Sequence, residues 1–327
     1  MLYKKVDKIK EEISVIGLGC WNFGGDWDHM TDEKAIALVH QAIEMGINFF
    51  DVAPVYGWGH SEKVLGEALK RINARDKVII ASKGGLLWDK NRQTENNLSK
   101  ESLLKEIDLS LERLQTDYID IYQLHWPDHN VSLKETAEAL NEMLQAKKIK
   151  YVGLSNFSQK DVEEMMGYVD VHCQQSLYNM FERNTDSYHN IPLEYKTEHE
   201  VLPFVKKHGQ AFLPYSPMFQ GLLSGKFTSE RNFSENDIRN ANPKLVGKDF
   251  EKYFKAANQL KELSGKYNRP MNQIALNWLR QNNEVTSIIG GVSSIEQLQQ
   301  NVDSLSWDID PQMMEEINEI IKPFENI

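Results

Sequence analysis

Short apolar runs alternate with amphipathic stretches from one end of the chain to the other. Each run has the length of a buried strand and ends in polar or turn-forming residues, which predicts a strand. The predicted strands cover residues 14–18, 47–50, 77–82, 118–124, 149–153, 170–174, 210–214 and 285–289. Eight strands that alternate with helices predict an α/β protein with a (β/α)8 TIM barrel.

The stretches between these runs have the apolar spacing of helices. The predicted helices cover residues 31–45, 61–71, 99–114, 133–146, 158–166, 198–208 and 270–281, and another follows the last strand. Thr31 and Ser99 stand where helices begin. Residues 1–13 predict a hairpin that closes the other end of the barrel. Because no Ser/Gly linker interrupts the alternation, residues 1–327 are predicted to form a single domain.

A carboxylate and a phenol follow the apolar run at residues 47–50. Asp51 ends the predicted strand, and Tyr56 lies in the loop beyond it. In an α/β barrel, chemistry takes place at the carboxyl ends of the strands. For an isolated pair, the simpler interpretation is that Asp51 caps the next helix and Tyr56 is a half-buried loop aromatic.

Other polar residues end apolar runs in the same way. Lys83 follows residues 78–82, and His125 follows residues 118–124. A buried lysine or aspartate is rarely tolerated without a partner, so the pattern predicts an ion pair between Asp51 and Lys83. With Tyr56 and His125 these residues make a tetrad.

The chain resembles an aldo-keto reductase over nearly its whole length. Its tetrad of Asp51, Tyr56, Lys83 and His125 matches the catalytic set of that family one for one, and residues 153–157 match its nicotinamide-contacting segment. The resemblance is nearest to bacterial stress and inositol-operon reductases and to potassium-channel β subunits. It implies an NAD(P)H-dependent oxidoreductase that reduces aldehydes, ketones or sugars to alcohols.

The resemblance also implies a set of cofactor contacts. They are Cys20, Trp21, Asp51, Ser155, Asn156, Gln175, Tyr215, Ser216, Pro217, Met218, Gly221, Leu223, Lys226, Arg239, Gly291, Ser293, Gln297, Gln300 and Asn301. In this set the nicotinamide ring lies against Tyr215, and its carboxamide is held by Ser155, Asn156 and Gln175.

The irregular region at residues 216–248 exceeds ordinary loop lengths, which is typical of a lid or binding loop. We expect it to fold over the cofactor. Gly221 and Gly225 would let the backbone approach the pyrophosphate closely. Lys226 and Arg239 are candidates for charge-assisted contacts to phosphate, and the alternative is that both are solvated surface charges.

The tetrad predicts general acid/base catalysis beside a hydride-carrying cofactor. Tyr56 is the predicted proton donor to the carbonyl oxygen. The usual pKa of a tyrosine is about 10, and a neighbouring Lys83 ammonium is expected to lower the pKa of Tyr56. Asp51 would hold Lys83 in place, and His125 would orient the substrate oxygen.

Tryptophans lie just beyond the first four predicted strands. They are Trp21, Trp58, Trp88 and Trp126. Flat apolar walls with a few polar groups suit a small carbonyl substrate. The alternative interpretation is that these aromatic residues form small satellite cores.

The choice of cofactor depends on residues 290–301, where many family members carry a Lys or Arg for the adenosine 2′-phosphate. This chain has no basic residue there. Loss of a charge-assisted contact weakens a preference for NADP. Potassium-channel β subunits with similar Ser and Gln residues hold NADPH, however, so the resemblance favours NADPH and leaves NADH as the alternative.

Composition narrows the class of partner. The chain has 327 residues and a net charge of −11, without a basic stripe interleaved with aromatics, which argues against nucleic acid. No apolar stretch has the length of a membrane span, and residues 1–10 resemble neither a signal peptide nor an anchor. A cytoplasmic protein without a membrane partner is expected.

Cysteine and histidine usage adds two expectations. The only cysteines, Cys20 and Cys173, lie in apolar runs, so reduced thiols are expected rather than a disulfide framework. His125 and His129 are separated by Pro127, which breaks the helix that would place both rings on one face. No metal site is predicted.

Two other functions compete with carbonyl reduction. The first is a Schiff-base aldolase or related lyase with Lys83 as the amine nucleophile, but an aspartate paired with Lys83 keeps the amine protonated. The second is a cofactor-bound regulatory or sensor module with low turnover, as the channel subunits suggest. His125 favours catalysis, because those subunits carry an asparagine at this position.

Overall fold

A computed structural model describes residues 1–25, 30–228, 230, 233 and 237–326. Its centre is a sheet of eight parallel strands. The strands are β1 (Ile16–Gly19), β2 (Phe49–Asp51), β3 (Ile79–Gly84), β4 (Ile119–Leu124), β5 (Ile149–Ser155), β6 (Cys173–Leu177), β7 (Ala211–Tyr215) and β8 (Ile288–Gly290). Each strand from β1 to β6 pairs with the next, and β8 pairs with β1. A bridge between Phe212 and Val285 brings the two ends together, so the predicted (β/α)8 barrel is confirmed.

Helices surround the strands. They are α1 (Asp32–Glu44), α2 (His60–Arg71), α3 (Lys100–Leu114), α4 (Leu133–Gln145), α5 (Gln159–Met166), α6 (Leu202–His208), α7 (Pro243–Val246), α8 (Phe250–Tyr267), α9 (Met271–Arg280), α10 (Ile295–Asp303) and α11 (Pro311–Ile321). The predicted starts at Thr31 and Ser99 are confirmed. Each side-chain oxygen accepts a hydrogen bond from the backbone N–H three residues later, which satisfies a donor at the helix start.

Strand alternation divides the core into two parts. In β5, Val152 and Leu154 belong to the large apolar cluster between the barrel and the helices. Gly153 faces inward, where a Cβ atom would collide with the Cys173 sulfur at 2.5 Å. Ser155 lies on the same inward side at the carboxyl end of the strand. Because side chains alternate along a strand, polar side chains such as Ser155 lie in the barrel interior at the carboxyl end of the strands.

The N-terminal segment forms a hairpin of Tyr3–Val6 and Ile9–Ser14. Ile9 and Ile13 are fully buried and pack in the interior cluster that includes Phe49, the first residue of β2. The hairpin therefore fills the amino-terminal opening of the barrel, as predicted.

Several boundaries differ from the sequence pattern. The strand predicted at residues 170–174 is β6 at Cys173–Leu177, because inward Gln175 and outward Gln174 interrupt the apolar pattern. The strand predicted at residues 285–289 is shorter and covers Ile288–Gly290. The helix predicted at residues 198–208 begins with a wide π turn before α6.

Other elements were missed. Helix α8 was not predicted, although Tyr253, Leu260 and Leu263 bury one of its faces. Two helices, α10 and α11, follow the last strand within the described chain, where one was predicted. The predicted irregular region at residues 216–248 contains the short helix α7, and its positions 229, 231–232 and 234–236 lie outside the described residues.

Two short hairpins extend from the carboxyl ends of strands. Leu86–Trp88 pairs with Thr94–Asn96 after β3, and Ser187–Tyr188 pairs with Ile191–Pro192 after β6. Among the helices that the structure describes, none is long and apolar enough to cross a membrane.

Candidate active site

The carboxyl ends of β2, β3 and β4 bring the predicted tetrad together. Asp51 ends β2, Lys83 is the penultimate residue of β3, and His125 directly follows β4. Tyr56 lies in the turn between β2 and α2. Because neighbouring parallel strands end at the same edge, four residues spread over 75 positions of sequence share one site.

Lys83 is the centre of this arrangement. Its side chain is fully buried, and its Nζ donates hydrogen bonds to Asp51 Oδ1 at 2.8 Å, to the Val52 carbonyl at 3.1 Å and to the Tyr56 hydroxyl at 3.3 Å. The predicted ion pair between Asp51 and Lys83 is confirmed. Three acceptors around Nζ match the three donors of an ammonium, which argues against the amine nucleophile of a Schiff-base lyase.

The second carboxylate oxygen of Asp51 is hydrogen-bonded as well. Its Oδ2 accepts hydrogen bonds from Gln175 Nε2 at 2.7 Å and from Gln123 Nε2 at 3.4 Å. Gln175 was predicted to hold the nicotinamide carboxamide, and in this structure its side-chain nitrogen donates a hydrogen bond to Asp51. Gln123 was missed, although a glutamine inside the apolar strand β4, two residues before His125, is the same kind of polar interruption that marked Asp51.

The predicted effect of Lys83 on Tyr56 is wrong for this structure. Burial raises the pKa of Tyr56 well above its usual value, and the negative charge of Asp51 raises it further. Because Asp51 compensates the charge of Lys83, the ion pair does not offset the burial of the phenol. Tyr56 therefore keeps its proton at neutral pH, the state that a proton donor needs.

His125 lies beside the phenol. Its ring meets that of Tyr56 edge-on, with centroids 6.0 Å apart and an interplanar angle of 82°. Burial and the neighbouring Lys83 cation lower the pKa of His125 well below its usual value. The imidazole is therefore neutral at physiological pH, with one nitrogen able to donate and the other to accept a hydrogen bond.

Asn156 connects the far side of the site, and its left-handed backbone has φ of 66°. Its Oδ1 accepts hydrogen bonds from the hydroxyls of Tyr195 at 3.0 Å and Tyr215 at 2.9 Å, while its Nδ2 donates to the His125 carbonyl at 3.2 Å and to Ser155 Oγ at 3.1 Å. Tyr195 was missed because it lies in an irregular segment without a hydrophobic period. The network fixes the ring of Tyr215, the predicted nicotinamide platform.

The start of the segment at residues 216–248 leaves room for a bound ligand to approach the protein backbone. A Cβ atom at Gly221, where φ is +99°, would meet no atom of the described residues within 4 Å, and the same is true of Gly291, which follows β8. Lys226 is exposed, and its side chain has no ion pair within the described residues. These features fit a pyrophosphate-bearing nicotinamide cofactor.

Arg239, the other predicted phosphate contact, is engaged elsewhere. Its Nε donates to Asp237 Oδ1 at 2.8 Å, and its guanidinium stacks on Phe233 at 4.3 Å from the ring centroid. A phosphate contact at Arg239 would therefore compete with a carboxylate already in place.

The remaining predicted cofactor residues divide by exposure. Gly291, Ser293 and Gln300 are exposed near the start of α10, and Gln297 Oε1 accepts hydrogen bonds from the Ser293 N–H at 2.8 Å and hydroxyl at 3.2 Å. The other members lie deeper in the protein. Buried residues are Cys20, Pro217, Leu223 and Asn301, and half-buried residues are Trp21, Ser216 and Met218.

The four predicted substrate tryptophans are all half-buried. Trp21 lies 6.0 Å from the Tyr56 ring, and Trp58 lies 5.8 Å from Trp88. Trp126 packs against the main apolar cluster. Trp21 thus brings aromatic surface to the ring of the proton donor, and Trp58 packs with Trp88.

Comparison with known proteins shows the family of this chain. The family model described as "Aldo/keto reductase family" matches residues 15–322, and the chain belongs to that family. Its members are oxidoreductases that act on carbonyl compounds with nicotinamide cofactors.

Individual relatives cover nearly the whole chain. An aldo-keto reductase, YhdN of Bacillus subtilis, is 36% identical over 98% of this chain and 94% of its own. An NADH-specific methylglyoxal reductase of Escherichia coli is 31% identical over 95% and 96% of the two chains. A solved glycerol dehydrogenase of Gluconobacter oxydans, 29% identical, superposes with a TM-score of 0.86 over 99% of this chain and 97% of that one.

Proposed function

We propose that this protein reduces small aldehydes and ketones, open-chain sugars among them, to alcohols with NADPH and with Tyr56 as the proton donor. The observation that carries the proposal is the position of Lys83 Nζ, within hydrogen-bond distance of both Asp51 and the Tyr56 hydroxyl. This places a protonated phenol next to a fixed cation at the open end of the barrel.

Each member of the tetrad has a separate task. A bound nicotinamide supplies the hydride. Tyr56 donates its proton to the carbonyl oxygen, and Lys83 Nζ donates a hydrogen bond to the phenol oxygen throughout. Asp51 keeps Lys83 charged and aimed at the phenol. The neutral imidazole of His125 donates a hydrogen bond that orients the substrate oxygen.

Two features support NADPH as the cofactor. Ser293 and Gln297 hydrogen-bond to each other at the beginning of α10, and the N-terminus of that helix carries the positive end of its dipole. The dipole favours a phosphate group, and Ser293 and Gln297 are similar to the residues of potassium-channel β subunits that hold NADPH, even though residues 290–301 contain no basic residue. NADH is the alternative. Dissociation constants measured for NADPH and NADH by fluorescence titration decide between them, and tighter binding of NADH would overturn the choice.

Substitution of Tyr56 by phenylalanine tests the proposed donor. Reduction of an aldehyde, followed by the absorbance of the reduced cofactor, is expected to fall by about 100-fold or more, because general acid catalysis is lost while the ring remains. Tyr168→Phe, on an exposed tyrosine after α5, is the matched control and should keep wild-type turnover. Turnover by Tyr56→Phe equal to that of the control would show that the donor is assigned wrongly.

A further inference from the structure

The hairpin after β3 places a cation on the aromatic surface beside the proton donor. Its two strands, Leu86–Trp88 and Thr94–Asn96, flank a turn that carries Arg92. The Arg92 guanidinium carbon lies 5.6 Å from the centroid of the Trp58 ring, and Trp58 follows Tyr56 by two residues. Arg92 therefore lies over an aromatic residue of the catalytic turn.

The turn itself is anchored. Asp89 Oδ1 accepts hydrogen bonds from the backbone N–H groups of Asn91 and Gln93, both at 2.8 Å. Asn96 Nδ2 donates to the Pro127 carbonyl at 2.8 Å, which ties the hairpin to the loop after β4. These contacts hold the backbone of the turn in place while the exposed side chain of Arg92 can move.

The guanidinium of Arg92 has no acceptor among the described residues. Across the described parts of the chain its guanidinium makes no hydrogen bond and no ion pair, and only the stacking contact with Trp58 is present. Six other arginines are paired with carboxylates, and Arg269, like Arg92, stacks on an indole ring, that of Trp307. The paired ones are Arg71, Arg75, Arg113, Arg183, Arg239 and Arg280. An unpaired guanidinium beside an active site is a ready contact for an anion.

The indole of Trp58 provides a second, independent observation. Its Nε1 is buried and has no hydrogen-bond partner among the residues that the structure describes. Most buried polar groups in proteins are hydrogen-bonded, and an indole N–H is a donor only. Two donors without acceptors, one charged and one neutral, thus adjoin each other near Tyr56.

We propose that Arg92 and the Trp58 indole N–H bind an anionic group at the far end of the substrate, so that the preferred substrates are aldehydes with a carboxylate or a phosphate. This inference rests on the proposed carbonyl reduction. A guanidinium binds either anion through two parallel N–H groups. The Trp58 N–H belongs to the ring on which Arg92 stacks and is the neutral donor that adjoins the guanidinium.

Matched substrates test the inference. Succinic semialdehyde is compared with its neutral methyl ester, and glyceraldehyde 3-phosphate is compared with glyceraldehyde. In the wild-type enzyme, kcat/KM for at least one anionic member should exceed that of its neutral partner by about tenfold, since a charge-assisted contact is added. The gain should appear in KM, because the contact is equal in the ground and transition states. The two arms distinguish carboxylate from phosphate.

Variants localise the effect. Arg92→Gln should bring the anionic-to-neutral ratio of kcat/KM close to one, and Arg92→Lys should restore part of it. Trp58→Phe removes the N–H donor but keeps an aromatic ring, and it should lower the ratio by several-fold. Lys90→Gln removes an equal charge from the same exposed turn and is the control that keeps the wild-type ratio.

The outcomes separate the two proposals. Equal kcat/KM values for the anionic and neutral members of both pairs, or a ratio that survives Arg92→Gln, would overturn the anion site while carbonyl reduction stands. Absence of turnover with the neutral aldehydes and the anionic ones alike would overturn the proposed reduction itself, and the substrate class with it.

Discussion

Gln175 donates a hydrogen bond to Asp51 Oδ2 at 2.7 Å, while Lys83 binds Oδ1 of the same carboxylate at 2.8 Å. Asp51 is thus fixed by residues from β3 and β6 and joins groups on both sides of the barrel interior. Its orientation determines where the Lys83 ammonium points.

Replacement of Asp51 by asparagine should be costly. It leaves the Lys83 ammonium buried without its counter-ion, a change that destabilises proteins by about 3–5 kcal/mol. Reduced stability in urea unfolding and a loss of aldehyde reduction are both expected. Gln175→Leu is the comparison, because it removes a neutral donor to the same carboxylate and should cost about 1–3 kcal/mol. Equal losses of unfolding free energy in Asp51→Asn and Gln175→Leu would contradict the role of Asp51 as the counter-ion of Lys83.

A buried carboxylate on α3 makes the stability depend on pH. Glu106 accepts hydrogen bonds from the Gly85 N–H and the Ser102 hydroxyl, each at 3.0 Å, and burial raises its pKa from 4.5 to about 7. The folded protein therefore binds this proton more tightly than the unfolded chain. The resulting stability is full below about pH 4.5 and is lost as pH rises through 7.

Glu106→Gln should remove that dependence. Relative to the wild type, its free energy of unfolding should increase by about 2–3 kcal/mol between pH 5 and pH 8, as measured by urea denaturation. Glu112→Gln, on the exposed side of the same helix, is the control, and its difference from the wild type should stay constant over this range. A constant difference for Glu106→Gln as well would contradict the raised pKa.

A second buried ion pair holds both ends of the segment at residues 216–248. Lys244 Nζ donates to Glu182 Oε1 at 2.7 Å, and Glu182 Oε2 accepts from Asn179 Nδ2 at 2.8 Å. The same Asn179 nitrogen donates to the Ser216 carbonyl at 3.0 Å. Lys244→Met should therefore loosen the segment proposed to cover the cofactor and speed the release of NADPH about tenfold in stopped-flow fluorescence, a change of about 1.4 kcal/mol.

Two comparisons identify the cause of that change. Lys248→Met removes an exposed charge four residues further along and should release NADPH at the wild-type rate. The double variant Lys244→Met/Glu182→Leu should be more stable than Lys244→Met alone, because no unpaired carboxylate stays buried. Unchanged release from Lys244→Met would rule out the coupling between this ion pair and the cofactor.

The sequence predicted the tetrad because Asp51, Lys83 and His125 each end an apolar run, with Tyr56 in the loop just beyond Asp51, and parallel strands bring such residues to one end. The same signal marks Gln123, which was overlooked inside a strand. Tyr195 gives no such signal, since its segment is irregular and its partner Asn156 is 39 residues away.

The pKa of Tyr56 could not be predicted from the sequence. The expected lowering depended on the Lys83 cation alone, whereas the pKa depends on burial and on Asp51 as well. Helix α8 was missed for a different reason: two of its buried positions are the small residues Ala256 and Ala257, which weaken the apolar pattern.

The N-terminal hairpin has a kinetic consequence. Because Ile9 and Ile13 seal one opening of the barrel, molecules reach the interior through the other opening only. We propose that the nicotinamide lies on Tyr215 and that the carbonyl compound lies between the nicotinamide and solvent. The carbonyl compound, which enters second, then blocks the exit of the cofactor. Binding and release should then be sequential, cofactor first in and last out, as product-inhibition patterns would reveal.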